Sequence, residues 1–270
     1  MPVIAMSQEV GTKGSEVAAG VAAALGLGSV SHDLAERVAD KLHIKKSVLQ
    51  RLREGKASLF ERIAAPQGEI AAFTADEVLA LAQKGNVLIR GWGSTLLLRP
   101  VGHIPCIRVC APMEARIRSL MDRLDTDDEE FIRDEVERSD AAHAAAMKAR
   151  FGVTWGDPLF YDLTLNTERV SIEGCVEAVV ALTKRPEFQE TTASAAKLAN
   201  LAIAARVRAA LYADPRTVDC HITLTSESGR LRLRGIVEND EARHACAEVA
   251  RAVPGVDEIV NDLKNMARRR

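Results

Sequence analysis

SQEVGTKGSEVA, residues 7–18, stands between an apolar stretch, VIAM at 3–6, and an alanine-rich run carrying Val17, Val21, Ala24 and Leu25 at helical spacing. Strand, glycine-bearing loop and helix form the opening unit of an α/β protein. At such a junction backbone N–H groups and a helix N-terminus converge on phosphate oxygens. The full signature, GxxxxGK[ST], adds a lysine for the outer phosphates and a hydroxyl for magnesium. Here a non-glycine holds the first glycine position and Lys13 precedes Gly14 instead of following it, while Ser15 keeps a hydroxyl at the helix start. By pattern alone the loop is either a phosphate cradle made of Gly11, Thr12, Lys13, Gly14 and Ser15, with Ser15 toward the metal, or a ligand-free turn whose Lys13 is solvated.

The order set by this stretch continues outward. His32–His43 and 45–63 read as helices with apolar stripes. Thr74 and Glu77 form a capping-box pattern that predicts a helix over 75–84, ended by Gly85-Asn86 before the strand Val87-Leu88-Ile89. IPCIRVCA, 104–111, predicts a strand, and Pro112 stands at the first turn of the next helix. A second box, Thr126 with Glu129, opens a charged helix to about Arg150, poor in large apolar residues and expected to be a mobile surface element. FYDLTLNT, 160–167, predicts a buried strand, and 171–183 the helix returning over it. Strands alternating with helices imply a mostly parallel sheet with its ligand beyond the carboxyl ends of the strands. The candidate loops are 7–14, 91–95 and 111–113.

Near Pro186 the pattern changes. KRPEFQETTASAAK is polar and of low complexity; a helix over 198–212 is expected after it. VDCHITLT and RLRLRGIV, joined by Ser226-Glu227-Ser228-Gly229, read as a hairpin. Asn239 or Asp240 can cap a helix over 241–252, and a short strand over 257–263 closes the module. These readings divide the chain into a nucleotide-binding domain at 1–188, a linker at 189–197 and a small α+β domain at 198–270.

Composition bounds the function. The 270 residues, 47% hydrophobic, can build a sizeable core. A formal charge of -2 offers no global attraction for nucleic acid, and the basic cluster at 268–270 reads as a solvated tail. The five cysteines lack a CxxC pair, and Cys106 and Cys110 are spaced for one strand face, so free thiols in a reducing cytoplasm are expected, with no zinc site. No run approaches the length of a transmembrane helix, and no leader pattern is present, which places the expected protein in the cytoplasm.

Three sets of side chains carry candidate chemistry. Besides the first loop, IRGWGSTLLL puts Arg90 and Trp92 at the end of a predicted strand, where Trp92 can stack on a base and Arg90 can meet a phosphate; a Trp packed against a helix explains the same residue. Arg116, Arg118, Arg123, Arg133, Arg138 and Arg150, with Asp140 and His143, lie on helices suited to closing over polyphosphate. Many of these arginines are expected to pair with neighbouring carboxylates instead.

The strand followed by S-x-E-x-G-x-x-G-x-E, then GNVLIRGWGS, IRVCAPMEARI, an Asp-rich helix and WGDPLFYDLTLNT, together resemble the cytidylate kinase-like family over residues 1–185. The most specific block is Trp155-Gly156-Asp157-Pro158, Tyr161-Asp162-Leu163 and Asn166-Thr167. The resemblance implies a P-loop kinase-like parallel sheet flanked by helices with a helical lid, ATP and Mg2+ as donor, and transfer to a nucleoside monophosphate such as CMP or a related small acceptor. Ser7, Glu9, Gly11, Gly14 and Glu16 match the family's own phosphate-loop variant. Arg116 matches a helix Arg, and Asp140 the lid D-x-x-R pattern, whose fourth position is His143. The family's G-R-G is Gly91-Trp92-Gly93, with Arg90 and Arg138 as substitutes for the missing arginines. The implied roles are catalytic for Lys13, Arg116, Arg138 and His143, and acceptor-binding for Arg90, Trp92 and Asp140. The departures also admit a nucleotide sensor without turnover; a scaffold without nucleotide is a third reading.

RVRAALYADP, ITLTSESGRLRLRGIVENDEAR and VARAVPGVDEIVNDL resemble a BON domain, with Gly235, Gly255, Val256 and Asn261 at matching positions. The resemblance implies a regulatory or docking module for a small ligand, a protein or a membrane surface.

Overall fold

A computed structural model describes residues 2–30, 33–58, 61, 65–91 and 93–266. Its two compact units are Met1–Ala65 with Lys84–Thr191, and Pro66–Gln83 with Thr192–Arg270.

The first unit is built on strand β1 (Val3–Gln8), almost wholly buried, which leads through the loop into helix α1 (Gly14–Leu25). Next come β2 (Gly28–Val30), α2 (Asp33–Lys41) and α3 (Lys46–Arg53). After α4 (Gln67–Lys84), which groups with the second unit, follow β3 (Val87–Arg90), α5 (Ser94–Leu98), β4 (Cys106–Cys110), α6 (Met113–Leu124), α7 (Glu129–Phe151), β5 (Leu163–Asn166) and α8 (Ile172–Thr183). The strands pair in parallel in the order β2-β3-β1-β4-β5. β1 therefore lies between β3 and β4, and the chain leaves their carboxyl ends in different directions. That divergence opens the crevice in which such sheets hold ligands.

The core follows from the apolar strands. Ile4, Met6, Leu88, Ile107, Val109 and Leu165 pack with Val17 and Val21 of α1 and Cys175 and Val179 of α8. A second cluster, Ile117, Leu120, Ile132 and Val136, joins α6 to α7, with Val10 of the loop packed against it. Helix α7 thus has a buried anchor at its N-terminal half, where its sequence led us to expect a mobile surface element.

The second unit holds α9 (Thr192–Ala213), β6 (Thr223–Glu227), β7 (Arg230–Val237), α10 (Asp240–Arg251) and β8 (Glu258–Asn265). β6 and β7 form the expected antiparallel hairpin, turning on Ser228 and Gly229, both at positive φ. β8 returns through α10 to pair in parallel with β7. Leu231, Leu233, Val207, Leu211, Cys246 and Leu263 fill this core.

Several boundaries differ from the expectations. Helix α4 begins at Gln67, not at 75: the Pro66 carbonyl accepts from the Ile70 N–H at 2.9 Å, and the apolar spacing runs through Ile70 and Phe73. Thr74 is buried within the helix, its hydroxyl without a partner, and caps nothing. Burial of one face outweighs the local capping pattern. At α7 the cap is Asp128, whose carboxylate accepts from the Phe131 N–H, while Thr126 accepts from the Asp128 N–H. Helix α9 starts at Thr192 because TASAAK is rich in alanine and holds no breaker. β2 escaped the sequence reading, being three residues with little burial. His32 and most of 59–64 lie outside the described residues.

Candidate active site

The loop between β1 and α1 has a defined shape. Gly11 has φ 83° and its Cα approaches the α6 backbone so closely that an added Cβ would lie 2.6 Å from the Arg116 carbonyl oxygen. Only glycine serves there. Lys13 is also left-handed, with φ 56°, and its carbonyl accepts the first helical bonds from Glu16 and Val17. Thr12 is buried: its hydroxyl donates to the Glu9 carbonyl at 2.7 Å, and the Thr167 hydroxyl donates to the Thr12 carbonyl at 2.7 Å. Among the described residues, the backbone N–H groups of Gly11, Thr12, Lys13, Gly14 and Ser15 have no acceptor within the chain. A run of free donors at a helix N-terminus suits an anion. The Lys13 side chain is exposed, and neither it nor the Ser15 hydroxyl is engaged by a described residue.

Two buried arginines fix this loop from below. Arg116, on α6, donates through Nε to the Val10 carbonyl at 2.8 Å and pairs bidentately with Asp140 of α7 at 2.7 and 2.8 Å. It also faces Glu9 at 3.5 Å. Arg108, pointing from β4, pairs with Glu9 and donates to the Trp155 carbonyl at 3.2 Å. Its guanidinium lies 4.7 Å from the Trp155 ring centre and 5.4 Å from that of Tyr161. Trp155 donates from its indole N–H to the Ser7 hydroxyl at 3.2 Å, and His143 stacks on its ring at 5.0 Å. His143 Nδ1 is 2.7 Å from the Ser139 carbonyl; a carbonyl only accepts, so Nδ1 carries the proton.

The far side of the loop is different. Arg90, at the end of β3, donates to the Gln8 amide oxygen at 3.2 Å. Its Nε is buried without an acceptor, and burial alone pushes its pKa down. Arg150, near the end of α7, is likewise desolvated and has no partner among the described residues. Its helical neighbours Met147 and Phe151 lie against Gly93 of the loop that follows β3.

The structure thus gathers Gly11, Thr12, Lys13, Gly14, Ser15, Arg90, Arg116, Asp140 and His143 around one loop. Arg138 is elsewhere: it pairs with Glu135, which also receives Lys56 at 2.9 Å. Trp92 lies outside the described residues. Sequence reasoning about roles passed over Gln8, Arg108, Trp155 and Thr167. Arg108 had a readable signal, a lone charge inside the buried run CIRVC, and Trp155 and Thr167 stood in the block most specific to the family.

Comparison with known proteins recognises two families along the chain. The model of the cytidylate kinase-like family matches residues 3–169, and that of the BON domain matches residues 200–265. No curated protein matches the chain. Among solved structures, an uncharacterized protein from Eubacterium ventriosum ATCC 27560 superposes with a TM-score of 0.54 at 16% identity, covering 68% of this chain and 100% of that one. Shikimate kinase from Bacteroides thetaiotaomicron gives 0.42 at 12% identity over 68% and 99% of the two chains. TT1252 from Thermus thermophilus gives 0.42 at 19% identity over 67% and 97%.

Proposed function

Because the chain belongs to the cytidylate kinase-like family, we propose that residues 1–188 bind ATP with Mg2+ and transfer its terminal phosphoryl group to a nucleoside monophosphate such as CMP, or to a related small acceptor. The observation that carries this reading is the row of unpaired N–H groups from Gly11 to Ser15 at the start of α1, in the crevice of a parallel sheet. These donors fit a polyphosphate, and the free Ser15 hydroxyl fits its magnesium. Among the described residues no cluster of metal-ligating side chains offers an alternative cage, so phosphate oxygens and water would complete the coordination. Bound ATP supplies the phosphoryl group; the chain supplies position and charge.

In this reading Lys13 reaches the donor phosphates from the loop. Arg116 spends its donors on Val10, Glu9 and Asp140, so it acts by positioning the loop against α7. Asp140 holds that pair from the lid, and His143, stacked on Trp155, closes the wall beside Ser7. Trp92 belongs to the acceptor side, with Arg90 between the two; Arg138, paired with Glu135, takes no part at the loop. The BON module, residues 198–270 after a linker at 189–197, regulates or docks the enzyme. Five free thiols fit a reducing cytoplasm.

A second reading, nucleotide sensing without turnover, is favoured by Gly14 standing where a lysine would contact the outer phosphates. Melting temperatures of the full chain with magnesium and ATP, ADP, CMP, or ATP with CMP test both, since a ligand of the native state raises the Tm. A shift with ATP followed by ADP release in the presence of CMP supports the kinase. A shift without release supports the sensor. No shift at millimolar nucleotide overturns both.

A further inference from the structure

In GxxxxGK[ST] the first glycine falls at residue 8 of this chain and the lysine at residue 14. The chain has Gln8 and Gly14 there, and Lys13 where the second glycine falls; the exchanges at 8 and 14 swap small for large in opposite senses. Sterically they are one change. A Cβ added at residue 14 would lie 2.6 Å from Gln8 Oε1 and 2.8 Å from Gln8 Cβ, so a side chain at 14 and glutamine at 8 exclude each other. The glutamine occupies the path that a lysine at 14 would take.

The glutamine also leads to a cation. Its Oε1 accepts from Arg90 Nη1 at 3.2 Å, so the guanidinium sits one hydrogen bond beyond the place where the residue-14 side chain would begin. Strand register delivers it there: Met6 pairs with Arg90, and β1 enters the loop two residues later. Arg90 has no carboxylate partner among the described residues, and its Nε is buried without an acceptor. A desolvated cation with only an amide for company is costly unless an anion completes it.

The geometry points to Arg90 as the cation that replaces the loop lysine, held over Gly14 by Gln8 so that it meets the outer phosphates of a bound nucleotide. A guanidinium suits the task because its fork can grip two phosphate oxygens while one N–H stays on Gln8. The inference rests on the nucleotide-binding reading above and assigns Arg90 to the donor, where the resemblance placed it at the acceptor.

Calorimetric titration of the full chain with ATP, ADP and AMP in magnesium tests it. Arg90→Met keeps the apolar stem and removes the charge. ATP and ADP affinity should fall about 10- to 100-fold, the effect of one charge-assisted hydrogen bond, and AMP affinity should change little. The triple variant Gln8→Gly, Gly14→Lys, Arg90→Met restores the glycine at 8 and the lysine at 14 and should recover most of the lost ATP affinity. An Arg90→Met protein that melts like the parent and binds ATP equally well overturns the assignment and leaves the nucleotide-binding reading standing. Equal losses for ATP, ADP and AMP also overturn it, since they place Arg90 away from the outer phosphates. A parent protein that binds none of the three overturns the reading beneath it as well.

Discussion

Arg108 and Arg116 on one side of the phosphate loop differ from Arg90 and Arg150 on the other in burial and, above all, in the presence of a counter-charge. Arg108 and Arg116 are nearly inaccessible, with side chains 6% and 4% exposed, and Glu9 and Asp140 complete them. Arg90 and Arg150 are partly buried and have no carboxylate partner among the described residues. Burying a paired guanidinium builds architecture: these ion pairs tie the loop, β4, α6 and α7 together. An unpaired one makes the empty protein less stable and reserves its charge for a ligand. The same residue type therefore serves two purposes within one crevice, separated by β1.

If that division holds, the two sides respond to mutation with opposite signs. The largest effect belongs to Arg116→Ala, which strands Asp140 and frees the Val10 carbonyl. Breaking a buried pair by removing one partner costs about 3–5 kcal/mol, and chemical denaturation should register a loss of that order. Asp140→Ala should cost a similar amount, and the double variant less than the sum, because the two residues share the interaction. A double variant as damaging as the sum would mean that the pair does not hold the loop.

An ionisable group can also escape the cost of burial by staying neutral. Cys106, in the interior of the sheet, has its thiol pushed up to about 12 by burial, with Asp162 adding to the shift. The folded pKa lies above the ordinary 9.0, so the contribution is complete below pH 9 and is lost as pH rises through 9 toward 12. Cys106→Ala should lose stability at neutral pH through lost packing, yet fall less steeply than the parent between pH 9 and 12. Parallel pH curves for the two proteins would show that the thiol ionises alike in the folded and unfolded chains and that burial does not raise its pKa.

Arg90→Met sharpens the contrast from the other side. With no carboxylate to strand among the described residues, only the Gln8 amide, removing this charge should leave the Tm unchanged or raise it by up to a few degrees, while nucleotide affinity falls. A loss of stability comparable to that of Arg116→Ala would erase the distinction between the two arginines.

Much of this was legible before any coordinates. Short apolar runs followed by helical spacing around 3–25 and 87–124 located the parallel sheet, and the block at 155–167 identified the family. What escaped was whatever depends on partners remote in sequence. Arg116 and Arg90 look alike as letters; only the fold shows that Asp140 answers one and an amide the other. Lys13 and Gly14 read as a misspelled motif until Gln8, six residues earlier, is seen filling the space. Thr74 carried a sound capping pattern that lost to burial of Ile70 and Phe73, because a cap contributes about 1 kcal/mol and a buried large apolar side chain more. The rest of the acceptor side depends partly on Trp92, which lies outside the described residues.

The smallest effect tests whether burial, and not pairing alone, makes the architectural arginines matter. Arg133 links α6 and α7 as Arg116 does, donating to Glu114 at 2.9 Å and to Glu129 at 2.8 Å, but in solvent. The Arg133 guanidinium holds the Glu114 carboxyl below its usual range. That contribution is therefore present above the ordinary carboxylate pKa and fades as pH falls toward the depressed value. Side-chain entropy and screening offset such exposed pairs. Arg133→Ala should leave the Tm within error of the parent at pH 7, and any difference seen at low salt should vanish in 0.5 M sodium chloride, about five times the ionic strength at which screening reaches 10 Å. A loss that survives salt and matches that of Arg116→Ala would mean that joining the two helices is what counts, wherever the charge sits, and that the buried pair beside the phosphate loop has no special standing.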